Sequence, residues 1–155
     1  MEIRDLLQPE AVISDLKAAN KKQALQELGR HAAKITGVNE RKIFEVLMER
    51  ERLGTTGVGN GIAIPHGKLS EFKRMYGVFA RLDRAIDFDA IDEQPVDLVF
   101  LLLAPEGAGA DHLKALACIS RLLRDGNAVE KLRASRDAAA LYAVLTEQAA
   151  SSHAA

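Results

Sequence analysis

Val96-Asp97-Leu98-Val99-Phe100-Leu101-Leu102-Leu103, bracketed by Pro95 and Pro105, decides the fold class. A strand with one face in water alternates apolar and polar side chains, whereas this run is apolar on both faces except at Asp97. It therefore reads as a strand covered on both sides. Even extended to Ala104, it falls far short of the roughly 20 residues that cross a bilayer. Tyr76 to Leu82 reads as a second strand, and Ile62-Ala63-Ile64 as a short third.

Outward from these strands, the periodicity becomes helical. Asn20 can cap a helix in which Leu25, Leu28, Ala32 and Ile35 share a face, with Gly37 at its left-handed end. Asn39 caps a second helix through Ile43, Phe44, Val46 and Leu47, which Gly54 ends. Asp111 opens a third, through Leu113, Leu116, Ala117 and Leu123, closed near Gly126. Asn127 and Ser135 are cap candidates for two more. In the last, Ala138, Leu141, Tyr142 and Leu145 share a face. Helices at both ends with strands between them predict one α/β domain over 1–148, its mixed sheet sandwiched between helices. The small, polar end 149–155 is expected to fray as a disordered tail.

The 155 residues carry 21 basic and 22 acidic side chains, a formal net charge of −1. Such balance gives no footprint for nucleic acid or an anionic membrane. An apolar fraction of 48% argues against general disorder. Cys118 is the only cysteine, which excludes an intrachain disulfide and a multi-cysteine metal knuckle. Met1-Glu2-Ile3-Arg4-Asp5 carries both charge signs and leads into no long apolar stretch, unlike a signal peptide. A cytoplasmic protein without direct membrane insertion is expected.

Chemistry concentrates in Leu53-Gly54-Thr55-Thr56-Gly57-Val58-Gly59-Asn60-Gly61-Ile62-Ala63-Ile64-Pro65-His66-Gly67-Lys68. Gly57, Gly59 and Gly61 can expose N–H groups at close range, and successive N–H groups pointing one way make an anion nest. Pro65 biases Ile64 towards an extended conformation, so His66 stands where a strand breaks into a turn, with Gly67 permitting close approach from its far side. The spacing fits neither a Walker loop nor a dinucleotide fingerprint. Glycine content alone leaves a flexible surface loop with an incidental histidine as an equal reading.

The segment from Gly57 through Lys68 to Leu69 closely resembles the active-site region of the mannitol/fructose-type enzyme IIA proteins of the bacterial phosphoenolpyruvate-dependent phosphotransferase system, above all their nitrogen-regulatory branch. The resemblance runs from Ile3 to about Gln148. It implies that His66 accepts a phosphoryl group from a small phosphocarrier, HPr or its nitrogen-branch relative. A second family histidine lies 46 positions downstream, at His112, and a family arginine 16 positions upstream, at Arg50.

His66 would be the nucleophile, since an imidazole of ordinary pKa about 6.5 is largely neutral near pH 7. His112, after Asp111 in a first helical turn, would hydrogen-bond the phosphoryl oxygens; without the family it would read as a surface helix-start histidine. Arg50 shares the stripe of Ile43, Val46 and Leu47, and its guanidinium suits phosphate oxygens. Its local alternative is pairing with Glu51. Gly57, Gly59, Asn60, Gly61 and Gly67 form the expected phosphate loop. No metal or cofactor is expected, although a hydrolase using His66 and His112 as metal ligands is a third reading. Lys68 and His31 read as solvated or structural, Cys118 as a small buried hydrophobe, and His153 as part of the tail.

The resemblance implies a stand-alone phosphocarrier whose phosphorylation state regulates nitrogen- and potassium-linked partners, such as potassium-transport proteins and sensor kinases. The alternative it allows is a IIA component passing phosphate to a sugar-specific IIB domain. An apolar loop of Val58, Ile62 and Ile64 around a site that gains negative charge would suit such switching. Whether a homodimer forms is left open.

Overall fold

The computed structural model describes the backbone of residues 1–154 and the side chains of 1–147. The chain runs α1 (Ile3–Leu6), a 3-10 turn (Pro9–Ala11), β1 (Val12–Leu16), α2 (Lys21–Thr36), α3 (Glu40–Arg52), β2 (Gly57–Gly59), β3 (Ile62–Ala63), β4 (His66–Lys68), β5 (Tyr76–Ile86), β6 (Val96–Ala104), α4 (Ala110–Arg124), α5 (Gly126–Ala134) and α6 (Ala138–Ala154). The fraying expected over 149–155 lies outside the residues whose side chains are described.

β6 is the centre. Val96 and every residue from Leu98 to Ala104 are fully buried, and each such leucine withdrawn from water contributes roughly 1.5–3 kcal/mol. The strand order is β1-β5-β6-β3-β2. β5 lies antiparallel to β6, and β1 parallel to β5. On its other side β6 pairs with β3 and then β4, both parallel and in one unbroken register: Ile62 opposes Leu98, and His66 opposes Leu102. Pro65 between them has no N–H to give the ladder, but its carbonyl still accepts from Leu102 N–H at 3.0 Å. Residues 62–68 thus form one interrupted strand that carries His66 to the carboxyl end of β6.

Helices cover both faces of this mixed sheet, as the doubly apolar β6 requires. α2 and α3 pack together and reach β5 and β4, while α4 and α6 reach β6 and β1. Asn20 and Asn39 cap α2 and α3 through Gln23 N–H and Lys42 N–H, and Gly37 ends α2 at φ 75°.

The C-terminal helices differ from the sequence reading in detail. α4 begins at Ala110 with Gly109 as its cap, two residues ahead of the Asp111 expected there. Its buried face is His112, Ala115, Cys118, Ile119, Leu122 and Leu123, which leaves Leu113 67% exposed and Ala117 exposed. The i, i+3, i+7 stripe holds, but it is shifted by one residue because His112 turns inward. Asp125, not Asn127, caps α5. Asp137, not Ser135, accepts the Ala140 N–H at the start of α6. Asp97, the one polar residue in the β6 core run, is held by Arg133, whose Nε and Nη2 donate to its two carboxylate oxygens at 2.9 Å each.

Candidate functional site

Three side chains from three elements converge at the carboxyl end of β6. His66 opens β4, Arg50 lies in the last turn of α3, and His112 lies in the first turn of α4. A Cβ built at Gly67 would meet Val46 Cγ1 at 2.9 Å and Leu47 Cδ2 at 3.6 Å. Val46 is branched and stiff, so only glycine lets α3 lie this close to β4. Strand alternation then sends the neighbouring His66 side chain to the opposite face, towards the start of α4. The two imidazole centroids stand 5.5 Å apart, tilted by 55°.

The hydrogen bonds assign the tautomer of His66. Its Nδ1 lies 3.0 Å from the Ile64 carbonyl oxygen, which can only accept, so Nδ1 carries the proton. Nε2 then presents a lone pair, which accepts from Arg50 Nε–H at 3.1 Å. The same guanidinium donates from Nη1 to the Gly54 carbonyl at 2.9 Å. His112 is 6% exposed, and its Nε2 is buried with no hydrogen-bond partner among the described residues. A buried polar atom left unpaired costs about 1–3 kcal/mol. The His112 side chain also lines a cleft of about 370 Å³, together with Arg50, His66 and Lys68.

Both imidazoles are held below the ordinary histidine pKa. For His66 the main cause is burial; the Ile64 hydrogen bond opposes it and the Arg50 charge adds to it. For His112 burial again leads, followed by the charges of Lys68 and His66. The unfolded chain therefore binds more protons as pH falls below about 6.5, and stability falls with it. A proton-resolved NMR titration of His66 should give a midpoint below the 6.5 of a free imidazole, so the ring stays neutral into mildly acid solution. A midpoint at or above that value would contradict the burial argument.

Not all the anticipated loop joins the site. Gly67 does, but Gly57, Gly59, Asn60 and Gly61 do not. They form the β2–β3 hairpin beside the start of β6, since Ile62 opposes Leu98, four residues before the partner of His66. Asn60 and Gly61 both have positive φ, 58° and 79°, the pattern of a two-residue type I′ turn. The Asn60 N–H is spent on Asp92 at 2.9 Å, and its carbonyl accepts from Arg133 at 2.6 Å. A side chain at Gly61 would collide with Arg133 and Asp97. These glycines shape a hairpin turn that lies apart from the cleft lined by Arg50, His66 and His112.

The apolar surface is also redistributed. Ile62 and Ile64 are buried, and only Val58 of the expected apolar loop is exposed. The large exposed apolar side chains closest in sequence to the site residues are Leu53, 83% exposed at the end of α3, and Leu113, 67% exposed beside His112. Sequence reasoning weighed Glu51 only as a partner for Arg50. It is instead 8% exposed and turned inward, paired with Lys21 Nζ at 2.7 Å and bonded to Thr56. Lys68 is exposed, His31 is half-buried on α2, and Cys118 is buried. Among the described residues no three His, Cys, Asp or Glu side chains cluster as a metal cage would need. Among them, no helix is long and apolar enough to cross a membrane.

Comparison with known proteins agrees with this architecture. The family described as "Phosphoenolpyruvate-dependent sugar phosphotransferase system, EIIA 2" matches residues 5–148. A nitrogen regulatory protein of Bradyrhizobium diazoefficiens is 67% identical over 145 residues, covering 94% of this chain and 95% of the relative. The crystal structure of nitrogen regulatory protein IIA-Ntr from Neisseria meningitidis superposes with a TM-score of 0.88 at 34% identity, over 93% of this chain and 99% of that one. IIA mannitol from Escherichia coli shares the fold, with a TM-score of 0.76 at 22% identity over 89% of this chain and 97% of that one.

Proposed function

This chain belongs to the phosphotransferase-system EIIA 2 family, and on that premise we propose that it is a phosphocarrier whose His66 Nε2 takes a phosphoryl group from a phosphohistidine of an HPr-type protein. The two forms then bind nitrogen- or potassium-linked regulatory partners unequally, which accords with the name of its relative from Bradyrhizobium. The observation that carries the reading is the single lone pair of His66: Nδ1–H is committed to Ile64, so only Nε2 can attack.

In the transfer, the Nε2 lone pair forms a bond to phosphorus while the donor's N–P bond breaks, and the donor imidazole leaves with that electron pair. The ring of His66 gains positive charge as it bonds, and Nδ1–H donating to the Ile64 carbonyl stabilises that charge. Arg50 leaves Nε2 and turns its guanidinium to the phosphoryl oxygens, where charge spreads in a loose transition state. The unpartnered His112 Nε2, protonated, donates to a third oxygen. Leu53 and Leu113 flank the cleft as apolar contacts for a docking protein, and a dianionic phosphate between them would repel a partner that seats on the free form.

Incubation with phosphoenolpyruvate, enzyme I and an HPr-type protein should raise the intact mass by one phosphoryl group. The label should be labile in acid, stable in base, and attached at Nε2 by phosphorus–nitrogen NMR coupling. No gain in mass, or a label on a hydroxyl side chain, would overturn the proposal.

A further inference from the structure

We propose that Glu51 is a positioning residue for this transfer, holding His66 in one tautomer and Arg50 in one orientation from beneath the cleft, without touching the phosphoryl group. The inference rests on the phosphocarrier reading and extends it to a residue outside the cleft.

Glu51 follows Arg50 directly in α3, and consecutive helical residues do not share a face. Arg50 therefore points into the cleft while Glu51 points into the protein, 8% exposed. A buried carboxylate is costly, and well-packed apolar residues commonly serve stability better at such a place. Here the carboxylate is fully employed. One oxygen lies 2.7 Å from Lys21 Nζ and 3.2 Å from the Thr56 N–H, and the other accepts from the Thr56 hydroxyl. Lys21 is itself held between this carboxylate and Asp89, 3.7 Å away, with its ammonium 4.9 Å from the Phe88 ring centroid.

Two connections lead from Thr56 and its turn to the reacting atoms. Pinning Thr56 to the end of α3 closes the turn 53–56, and the Gly54 carbonyl in that turn holds Arg50 Nη1 at 2.9 Å. With Nη1 fixed, the rigid planar fork presents Nε to His66 Nε2. The second connection is a chain of backbone bonds. The Thr56 carbonyl accepts from Ile64 N–H at 2.9 Å, and the Ile64 carbonyl accepts from His66 Nδ1–H at 3.0 Å. One buried carboxylate thus anchors both groups that fix the His66 ring, the carbonyl that keeps its proton on Nδ1 and the guanidinium that meets its Nε2 lone pair. A turn that needed only closing would be served by a neutral side chain.

The test compares the full-length chain with Glu51→Gln, which keeps the shape but loses the charge that holds Lys21, and with Leu145→Ala. Leu145 is fully buried in α6 and has no bond to the cleft, so its variant controls for lost stability. Imidazole nitrogen–proton NMR reads the His66 tautomer, and phosphoryl uptake against donor concentration separates the maximal rate from half-saturation. Glu51→Gln should populate both tautomers of His66 and lower the maximal rate about tenfold with half-saturation unchanged, as expected for misalignment of a reacting group. Leu145→Ala, at a comparable loss of Tm, should leave the tautomer and the rate as in wild type. Thr56→Val, which removes only the hydroxyl contact, should shift the tautomer in the same direction by less, and decides the matter if Glu51→Gln does not fold. A single Nδ1–H tautomer with a wild-type rate in the Glu51 or Thr56 variant would overturn the proposal. So would a tautomer shift in Leu145→Ala as large as that in Glu51→Gln. If the wild-type chain takes up no phosphoryl group, the phosphocarrier reading fails separately, and the tautomer comparison still judges Glu51.

Discussion

His66→Ala is expected to gain no phosphoryl group at all from phosphoenolpyruvate, enzyme I and an HPr-type donor, while His112→Ala still gains one, more slowly. The asymmetry follows from the hydrogen bonds. His66 has a proton fixed on Nδ1 by a carbonyl and a lone pair on Nε2 at the cleft. Removing it deletes the atom proposed to form the bond to phosphorus. His112 Nε2 is buried and unpartnered, suited to donate to a phosphoryl oxygen rather than to attack phosphorus. Losing one such donor costs roughly 10²–10³ in rate where it acts on developing charge. Intact mass measured over a time course distinguishes the two. The reverse pattern, with His66→Ala labelled and His112→Ala not, would exchange their roles.

The sequence exposed the parts of this site whose causes are local. The doubly apolar run from Val96 foretold a covered central strand. Gly67 foretold a close approach from the far side of His66, but the turn expected at His66 is instead a continuation of the strand: His66 opens β4 and keeps the register of β3 along β6. The i, i+3, i+4, i+7 stripe put Arg50 at the end of a packed helix face, and two asparagine caps set the helices preceding it. Features that depend on distant partners were not legible. β1 (Val12–Leu16) contains Asp15 and is only partly buried, so its periodicity is weak; its identity as a strand comes from pairing with β5.

The glycine loop is the instructive case. Asn60-Gly61 between short apolar strands is a hairpin signal, yet clustered glycines beside a histidine suggested an anion nest. What separates the two readings is Arg133, 72 positions beyond Gly61, which fills the space over the turn. Nothing local announces it. Glu51 was hidden for the same reason: the residues that bury and satisfy it, Lys21 and Thr56, reveal themselves only once α2 and the 53–56 turn are folded together. His112 shows the converse. Its family spacing was readable, but its inward turn, which shifts the whole face of α4 and frees Leu113, was not.

Arg50→Ala should retain the fold and lose roughly 10²–10³-fold in the rate of phosphoryl uptake, the range observed when a preorganised donor to developing charge is removed. The side chain is half-buried at a helix end and is not one of the buried residues of α3, so its removal should leave the core of that helix intact. Two effects act on His66 together. The phosphoryl oxygens lose the guanidinium that would receive them, which slows the transfer. The imidazole also loses a neighbouring positive charge, which now helps to hold its pKa down, so its titration midpoint should move upward. These effects can be told apart, because the second only matters near the midpoint. At a pH well above 6.5 His66 is neutral in both proteins, and any remaining rate loss belongs to the missing guanidinium alone. Arg50→Lys restores the charge, and with it most of the midpoint shift. It lacks the planar fork that holds Gly54 with one nitrogen while serving Nε2 with another. It should therefore recover the titration more fully than the rate. Equal recovery of both would mean that Arg50 acts through charge alone, and a wild-type rate in Arg50→Ala would remove it from the transfer altogether.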